Sequence, residues 1–240
     1  VTTLFISDLH LDSSRPAATD AFLRFLKREA AGCTSLYILG DLFEYWIGDN
    51  ELNSHDRQVI TALSEFTKSG TRCFVMHGNR DFLLGEQFCR ESGATLLPDP
   101  TLIFVGGESV LISHGDYLCT DDISYQRFRK IVRDPRFKTL YSKLPLKFKQ
   151  SLAKKARKKS SSSYELKPPE ILDVNQRAVE QALTQFNVTT MLHGHTHRPA
   201  IHEFRLANRA CKRIVLGDWY KEGSVLRWAE NGPKLVSLQF

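Results

Sequence analysis

Three imidazoles fall within five residues at His193-Gly194-His195-Thr196-His197. Imidazole is the commonest protein ligand for divalent transition metals, so a cluster of this density offers nitrogen donors to an ion. The cluster follows an apolar run, Val188 to Leu192, that reads as a buried strand ending in a turn. In extended backbone alternate residues share a side, so the spacing predicts that His195 and His197 aim one way. Gly194 lets the chain approach a neighbour closely. Four more short apolar runs end in similar residues: Asp8 and His10, then Asp41, then Asn79, then His114. A single such strand end is commonplace, because Asp and Asn begin turns. Together they form a donor set of two carboxylates, one amide and four imidazoles, with no sulfur. That set suits Mn²⁺, Fe²⁺, Co²⁺ or Zn²⁺ better than Mg²⁺, which prefers oxygen and water. Seven donors are too many for one tetrahedral ion. Two ions sharing a carboxylate would clamp a phosphate group and acidify a water held between them.

The elements that must bring these positions together alternate along the chain. Strands are expected at Thr2 to Ser7, Leu36 to Leu39 and Cys73 to Met76, with helices at Pro16 to Ala30 and Asn53 to Ser69 between them. Two strands around a Gly106-Gly107 turn follow, the second ending at His114. A helix from about Pro168 to Phe186 precedes the histidine strand, and four short strands from Ala200 to Gln239 close the chain. This order predicts an α/β layered fold with mixed sheets flanked by helices, in which the carboxyl ends of the strands open onto one crevice.

At 240 residues and 42% hydrophobic the chain can bury one substantial core, and we read a single domain, 1–240, with an insertion at 122–168. Five scattered cysteines, never spaced as C-x-x-C, argue against both a disulfide framework and a thiolate zinc site, and fit a reducing cytoplasm. No apolar run reaches the roughly 20 residues of a spanning helix, and the N-terminus lacks the pattern of a signal peptide. A cytoplasmic protein is expected. The net charge of +6 is concentrated in one segment: Ile123 to Ser163 holds 14 Lys and Arg against Asp134 alone. The rest of the chain is net acidic. Within that segment the cations alternate with Tyr125, Phe128, Ile131, Val132, Phe137, Leu140, Tyr141, Leu144, Leu146, Phe148 and Leu152, and Pro135 and Pro145 divide it into short amphipathic helices. The apolar stripes and basic faces predict a lid that accepts acyl chains and meets anionic headgroups. Cations so interleaved, with no second basic face, argue against nucleic acid as partner.

The motifs D-x-H (Asp8, His10), G-D (Gly40, Asp41), G-N-x-D (Gly78 to Asp81), H-G-D (His114 to Asp116) and G-H-x-H (Gly194 to His197) resemble, in order, those of the calcineurin-like metallophosphoesterases. The resemblance covers nearly the whole chain. It implies that superfamily's sandwich fold with a helical lid insertion and two Mn²⁺ ions per chain. One ion falls to Asp8, His10, Asp41 and His197, the other to Asp41, Asn79, His114 and His195, with Asp41 shared. The variants ISDLHL, YILGDLFEYWIGD, HGNRDFL, HGDYLCTDD and HGHTHRP look like the lipid A branch of the superfamily. That branch implies attack of metal-bound hydroxide on the α-phosphorus of UDP-2,3-diacylglucosamine, giving UMP and 2,3-diacylglucosamine 1-phosphate. It also implies peripheral attachment to the cytoplasmic face of the inner membrane, with no obligate protein partner. Asn79, Arg80 and His195 are then the catalytic residues, and the same three with Asp122, Ser160, Tyr164 and Lys167 the substrate contacts.

Arg80 stands where many members of the superfamily have a histidine. A guanidinium cannot donate its proton near neutral pH but binds phosphate oxygens with a two-pronged fork. A leaving alkoxide needs an acid, whereas a leaving phosphate is already a stable anion. Arg80 therefore favours cleavage of a pyrophosphate, its bland alternative being an ion pair with Asp81. Asp81 and Asp116 are expected to orient ligands from behind. His193 is read as structural, and His55, His77 and His202 as ordinary. The competing readings are another nucleotide phosphodiesterase or pyrophosphatase on the same scaffold, and a non-enzymatic scaffold protein, which would be expected to have lost ligands.

Overall fold

The first strand shows why the protein is layered. In β1 (Thr3–Ile6), Leu4 and Ile6 point to one side and Phe5 to the other, and all three are fully buried. Both faces of its sheet must therefore be covered. The computed structural model describes residues 2–153, 155 and 171–240. In chain order β1 is followed by α1 (Pro16–Arg24), β2 (Ser35–Ile38), α2 (Ser54–Lys68), β3 (Arg72–Met76), α3 (Glu86–Ser92), β4 (Thr95–Leu97), β5 (Thr101–Val105) and β6 (Glu108–Ser113). Next come α4 (Ile123–Val132), α5 (Pro135–Ser142), α6 (Gln176–Phe186), β7 (Thr190–His193), β8 (Ala200–Leu206), β9 (Arg209–Val215), β10 (Gly223–Ala229) and β11 (Gly232–Leu238).

One sheet has the order β11-β10-β1-β2-β3-β4 and the other β5-β6-β7-β9-β8. β1 to β4 run parallel, as do β6, β7 and β9, while β5, β8, β10 and β11 are antiparallel to their neighbours. Phe5, Leu39, Met76, Ile112, Leu192 and Ile214 pack between the sheets. The opposite face of the first sheet meets Phe22, Phe25, Val59 and Leu63, and that of the second meets Val179 and Leu183 of α6. The result is a helix, sheet, sheet, helix sandwich, the mixed-sheet α/β architecture expected. All parallel strands end at the same rim, so Asp8, Asp41, Asn79, His114 and the histidine run emerge together.

Local signals set the boundaries. Pro16 opens α1, and Asn53 and Asp56 form a reciprocal capping box on α2. The helix expected from Pro168 begins at Gln176, because Asn175 caps it by accepting from the N–H groups of Arg177 and Ala178; 171–175 is not helical. α3 and β4 were not expected. Both are too short for a hydrophobic period to show.

Between β6 and α6 the chain carries α4, α5 and a third helical run over 146–153, broken where Pro135 and Pro145 fall. On α4, Val132 is buried and Arg127 and Lys130 are exposed, as a basic outer face requires, but the two sides are mixed. Phe128 and Ile131 are exposed, while Arg129 and Arg133 turn inward onto carboxylates of the body. Among the described residues no helix is long and apolar enough to cross a membrane.

Candidate metal centre

The seven predicted ligand positions meet at the rim, where Asp8, His10 and His197 form one cluster of donor atoms and Asp8, Asp41 and His114 a second, so that Asp8 belongs to both. In the first, Asp8 Oδ1, His10 Nε2 and His197 Nε2 converge: the two imidazole nitrogens are 3.3 Å apart, and Asp8 Oδ1 is 3.2 Å from His197 Nε2 and 4.0 Å from His10 Nε2. Beside the second, Asn79 Oδ1 faces His114 Nε2 at 3.0 Å and His195 Nδ1 at 2.9 Å. Asp41 Oδ2 lies between two imidazoles, 3.8 Å from His10 Nε2 and 3.9 Å from His114 Nε2.

Backbone geometry produces this convergence, not strand alternation. β7 ends at His193, and His195 and His197 have φ of 67° and 57°, so the expected extended spacing does not hold. Asp8, His10 and Asp41 are also left-handed, at φ 57°, 50° and 52°. Asp and His tolerate this region better than most side chains, at about 1–2 kcal/mol each. Such strain persists only where the surrounding structure fixes it, and it concentrates at functional sites. The motif glycines allow the loops to interlock. A Cβ on Gly194 would enter Ser7 Oγ and Asp8 Oδ2, and one on Gly78 would enter Asp41 Oδ1 and its backbone nitrogen.

Three imidazoles have an acceptor facing Nδ1 from behind. His114 Nδ1 donates to the Leu39 carbonyl at 2.9 Å. His197 Nδ1 faces Asp218 Oδ2 at 3.3 Å, and His10 Nδ1 faces Glu44 Oε2 at 3.2 Å, at an angle short of a hydrogen bond. Each leaves Nε2 for a metal. Glu44 and Asp218 escaped the sequence reading. Their only signal is an acid shortly after a motif or strand, in GDLFE and LGDWY. Tyr220 was missed as well; its ring stacks on His10 at 5.4 Å under the Arg15 guanidinium.

The centre fits cations on its own chemistry. Asp8 Oδ1 is buried with no hydrogen-bond partner. Burial would raise the Asp8 carboxyl, but His197, His114 and His10 hold it well below the usual carboxylate range. Burial would likewise lower His197, yet Asp8 and Asp218 push it up to about 10. His114 is raised against its burial by Asp41 and Asp8. His195, by contrast, is pulled down to about 3 by burial and the neighbouring His114, which keeps its ring neutral. A field that protonates buried imidazoles attracts a divalent ion just as well.

Asp81 does not pair with Arg80. It is fully buried, and its carboxylate accepts from the N–H groups of Gly78 and Leu42 at 2.8 Å each and from Asp41 at 3.3 Å. It thus ties two ligand loops together. Burial, then Asp41, pushes its carboxyl up to about 6. The Arg80 N–H donates to Asp41 Oδ1 at 2.7 Å, its guanidinium Nη1 lies 3.9 Å from Glu44 Oε1, and its buried Nε has no hydrogen-bond partner. His193 is held off the centre by the Gly194 carbonyl and by Arg213 Nη1, 3.3 Å from its Nε2. Asp122 caps α4, accepting from Tyr125 N–H at 3.0 Å and Ser124 Oγ at 2.8 Å. Ser160, Tyr164 and Lys167 lie outside the described residues.

A two-sheet sandwich with paired carboxylate and imidazole donors at the rim of its parallel strands is the architecture of a metal-dependent phosphoesterase. Residues 1–199 match the calcineurin-like phosphoesterase family, and the chain belongs to it. Its relatives narrow the class further. It is 50% identical to a UDP-2,3-diacylglucosamine hydrolase of Azotobacter vinelandii over 98% of both chains. It is 48% identical to the protein of that name from Escherichia coli O7:K1 over 100% of both, and 48% to that of Pseudomonas fluorescens over 99% of this chain and 95% of the relative.

Proposed function

We propose that the protein hydrolyses the pyrophosphate bond of UDP-2,3-diacylglucosamine, releasing UMP and 2,3-diacylglucosamine 1-phosphate for lipid A synthesis. The observation that carries this reading is the pair of adjoining donor clusters, Asp8 with His10 and His197 and Asp8 with Asp41 and His114, in a chain that aligns end to end with hydrolases named for that substrate. Asp8, His10, Asp41 and His197 would hold one ion, and Asp41, Asn79, His114 and His195 the other. We assign both as Mn²⁺, which suits mixed oxygen and nitrogen ligation without sulfur. When bound, such ions neutralise phosphoryl oxygens and lower the pKa of water to near neutrality.

The chain's own residues do the rest. Arg80, with an Nε–H still lacking an acceptor, binds the phosphate oxygens and stabilises charge as the bond to the leaving phosphate breaks. It need not give up a proton, because the departing monophosphate is stable as an anion. Asn79 and His195, whose Oδ1 and Nδ1 lie 2.9 Å apart, orient the same phosphoryl group. Asp81 fixes the two loops on which Asp41, Asn79 and Arg80 ride.

We take residues 1–240 as one domain in which the insertion at 122–168 receives the lipid, with Asp122, Ser160, Tyr164 and Lys167 at its sugar and phosphate end. Ile123, Ile131, Leu140 and Phe148 are 63%, 59%, 67% and 62% exposed on helices rich in Lys and Arg. Apolar side chains of that size left outside, with cations around them, suit acyl chains and an anionic membrane face, here the cytoplasmic side of the inner membrane. The test is release of UMP from micellar UDP-2,3-diacylglucosamine by metal-stripped protein given back Mn²⁺, beside Asp41→Ala and the deacylated nucleotide sugar. Mn²⁺-dependent turnover of the acylated substrate alone, lost in the variant, is expected. Equal turnover of the deacylated compound would remove the lipid role of the insertion, and no turnover of either would remove the substrate assignment.

A further inference from the structure

We propose that Arg129 of α4 and Arg133, which caps its C-terminus, are positioning residues for the reaction, fastening the root of the insertion to the loops that carry Asn79 and His114, so that α4 is a fixed wall of the site and not a moving cover. The inference rests on the reading above only for the identity of the lipid substrate. Tyr125, Arg129 and Arg133 are spaced by four and so share one face of the helix. Arg129 Nε lies 2.9 Å from Asp116 Oδ2, and its Nη2 3.6 Å from Asp99 Oδ2. Arg133 Nη2 lies 3.1 Å from Asp116 Oδ2, and its Nη1 3.8 Å from Asp99 Oδ2. Two cations therefore meet two carboxylates, and the carboxylates are 0% and 3% exposed. Buried charges balanced in this way resist separation, because removing one partner leaves an uncompensated charge out of water.

Arg133, Asp99 and Tyr125 also reach the ligand loops. Arg133 Nη2 donates to the carbonyls of His77 at 3.3 Å and Gly78 at 3.2 Å, the two residues before Asn79. Asp99 Oδ1 accepts from Ser113 Oγ at 2.6 Å and from the His114 N–H at 3.2 Å. Tyr125 OH donates to Asp116 Oδ2 at 2.7 Å, and its ring stacks on that of His195 with centroids 5.9 Å apart. One helix face thus touches the loops after β3, β6 and β7 at once. The exposed apolar side chains of the insertion lie away from this face or beyond Asp134, where the segment is free to serve the lipid. Loss of Arg133 removes the donor from two carbonyls and leaves two carboxylates beside His114 short of a cation, and small displacements of ligand loops are expensive in rate.

The test compares Arg133→Gln, Arg133→Lys and Arg129→Gln in the full, Mn²⁺-loaded protein on two substrates: micellar UDP-2,3-diacylglucosamine, and bis(p-nitrophenyl) phosphate, which carries no acyl chain. Arg133→Gln is expected to lower kcat by roughly 10- to 100-fold on both, with KM for the lipid changed by less than about threefold. Arg133→Lys should restore little, since an ammonium cannot place donors where the guanidinium fork does. A loss confined to the lipid and expressed in KM would assign the arginines to substrate capture and overturn the proposal, as would unchanged kcat per folded molecule with only a lower melting temperature. Amide exchange in the wild-type protein keeps the idea testable if a variant does not fold. Slow exchange across α4, like that of β3 and β6, is expected, and exchange as fast as in α5 would overturn the fixed wall. If the wild type hydrolyses the diester but not the lipid, the substrate assignment falls and the diester comparison still decides the role of the arginines.

Discussion

Gly78→Ala tests whether the ligand loops interlock as tightly as the structure shows. A Cβ at this position would sit 2.7 Å from Asp41 Cγ and closer still to Asp41 Oδ1 and the Asp41 backbone nitrogen. Carbon contacts settle near 3.5 Å, so the two loops must part by at least about 0.8 Å. Neither side gives easily. Asp41 Oδ1 is held by the Arg80 N–H at 2.7 Å, the Gly78 N–H by Asp81 at 2.8 Å, and the Gly78 carbonyl by Arg133. Overpacking of this kind costs about 1–3 kcal/mol of stability. The larger effect falls on chemistry, because Asp41 Oδ2 lies between the donors, 3.8 Å from His10 Nε2 and 3.9 Å from His114 Nε2. A displacement near 1 Å at reacting groups is worth on the order of 100-fold in rate, about 2.7 kcal/mol of transition-state stabilisation. Gly107→Ala is the control: its φ of 84° makes alanine strained, but no atom lies within 4 Å of the added Cβ. It should lose about 1 kcal/mol of stability and no activity. The assay is kcat/KM with Mn²⁺ occupancy and melting temperature measured on the same preparations. A Gly78→Ala protein that binds Mn²⁺ normally and keeps kcat within a few-fold would refute the interlocking.

Other expectations are as direct. Arg80→Lys keeps the charge but loses the fork, so steady-state kinetics should show kcat down by roughly 10²- to 10³-fold with Mn²⁺ binding unchanged. Asp218→Asn removes the carboxylate facing His197 Nδ1, and Mn²⁺ titration should show affinity weaker by about 10- to 100-fold. Stripping the metal should leave far-UV circular dichroism intact, since the apolar core does not involve the ligands. Re-adding Mn²⁺ at a hundred times its Kd should stabilise the protein by about 2.7 kcal/mol, read as a rise in melting temperature of roughly 5–10 °C. Burial pushes the Cys73 and Cys119 thiols up to about 12 from 9.0, so at pH 8.5 neither should react with iodoacetamide until the protein unfolds. Because those pKa values are raised on folding, their contribution is complete below pH 9 and is lost as pH rises through about 12.

The donors of the centre were legible in the sequence because each follows an apolar strand directly, and local order alone places a strand's carboxyl end beside its next residues. The α/β alternation, the capped α2, the proline breaks of the insertion and the membership of the phosphoesterase family were legible for the same local reason. Tertiary structure decided what depends on distant loops touching. It turned His195 and His197 into one centre through left-handed backbone that no alternation rule anticipates, and it set Glu44 and Asp218 behind His10 and His197. It moved Asp81 from a surface partner of Arg80 to a buried acceptor of backbone N–H groups. It turned Arg129 and Arg133 inward onto carboxylates, which a count of charges and apolar stripes does not show. A periodicity shows that a helix has two faces. Which face is buried depends on the partner, and here the partner is a pair of carboxylates, Asp99 and Asp116, separated from each other and from α4 in the chain but joined to it in space.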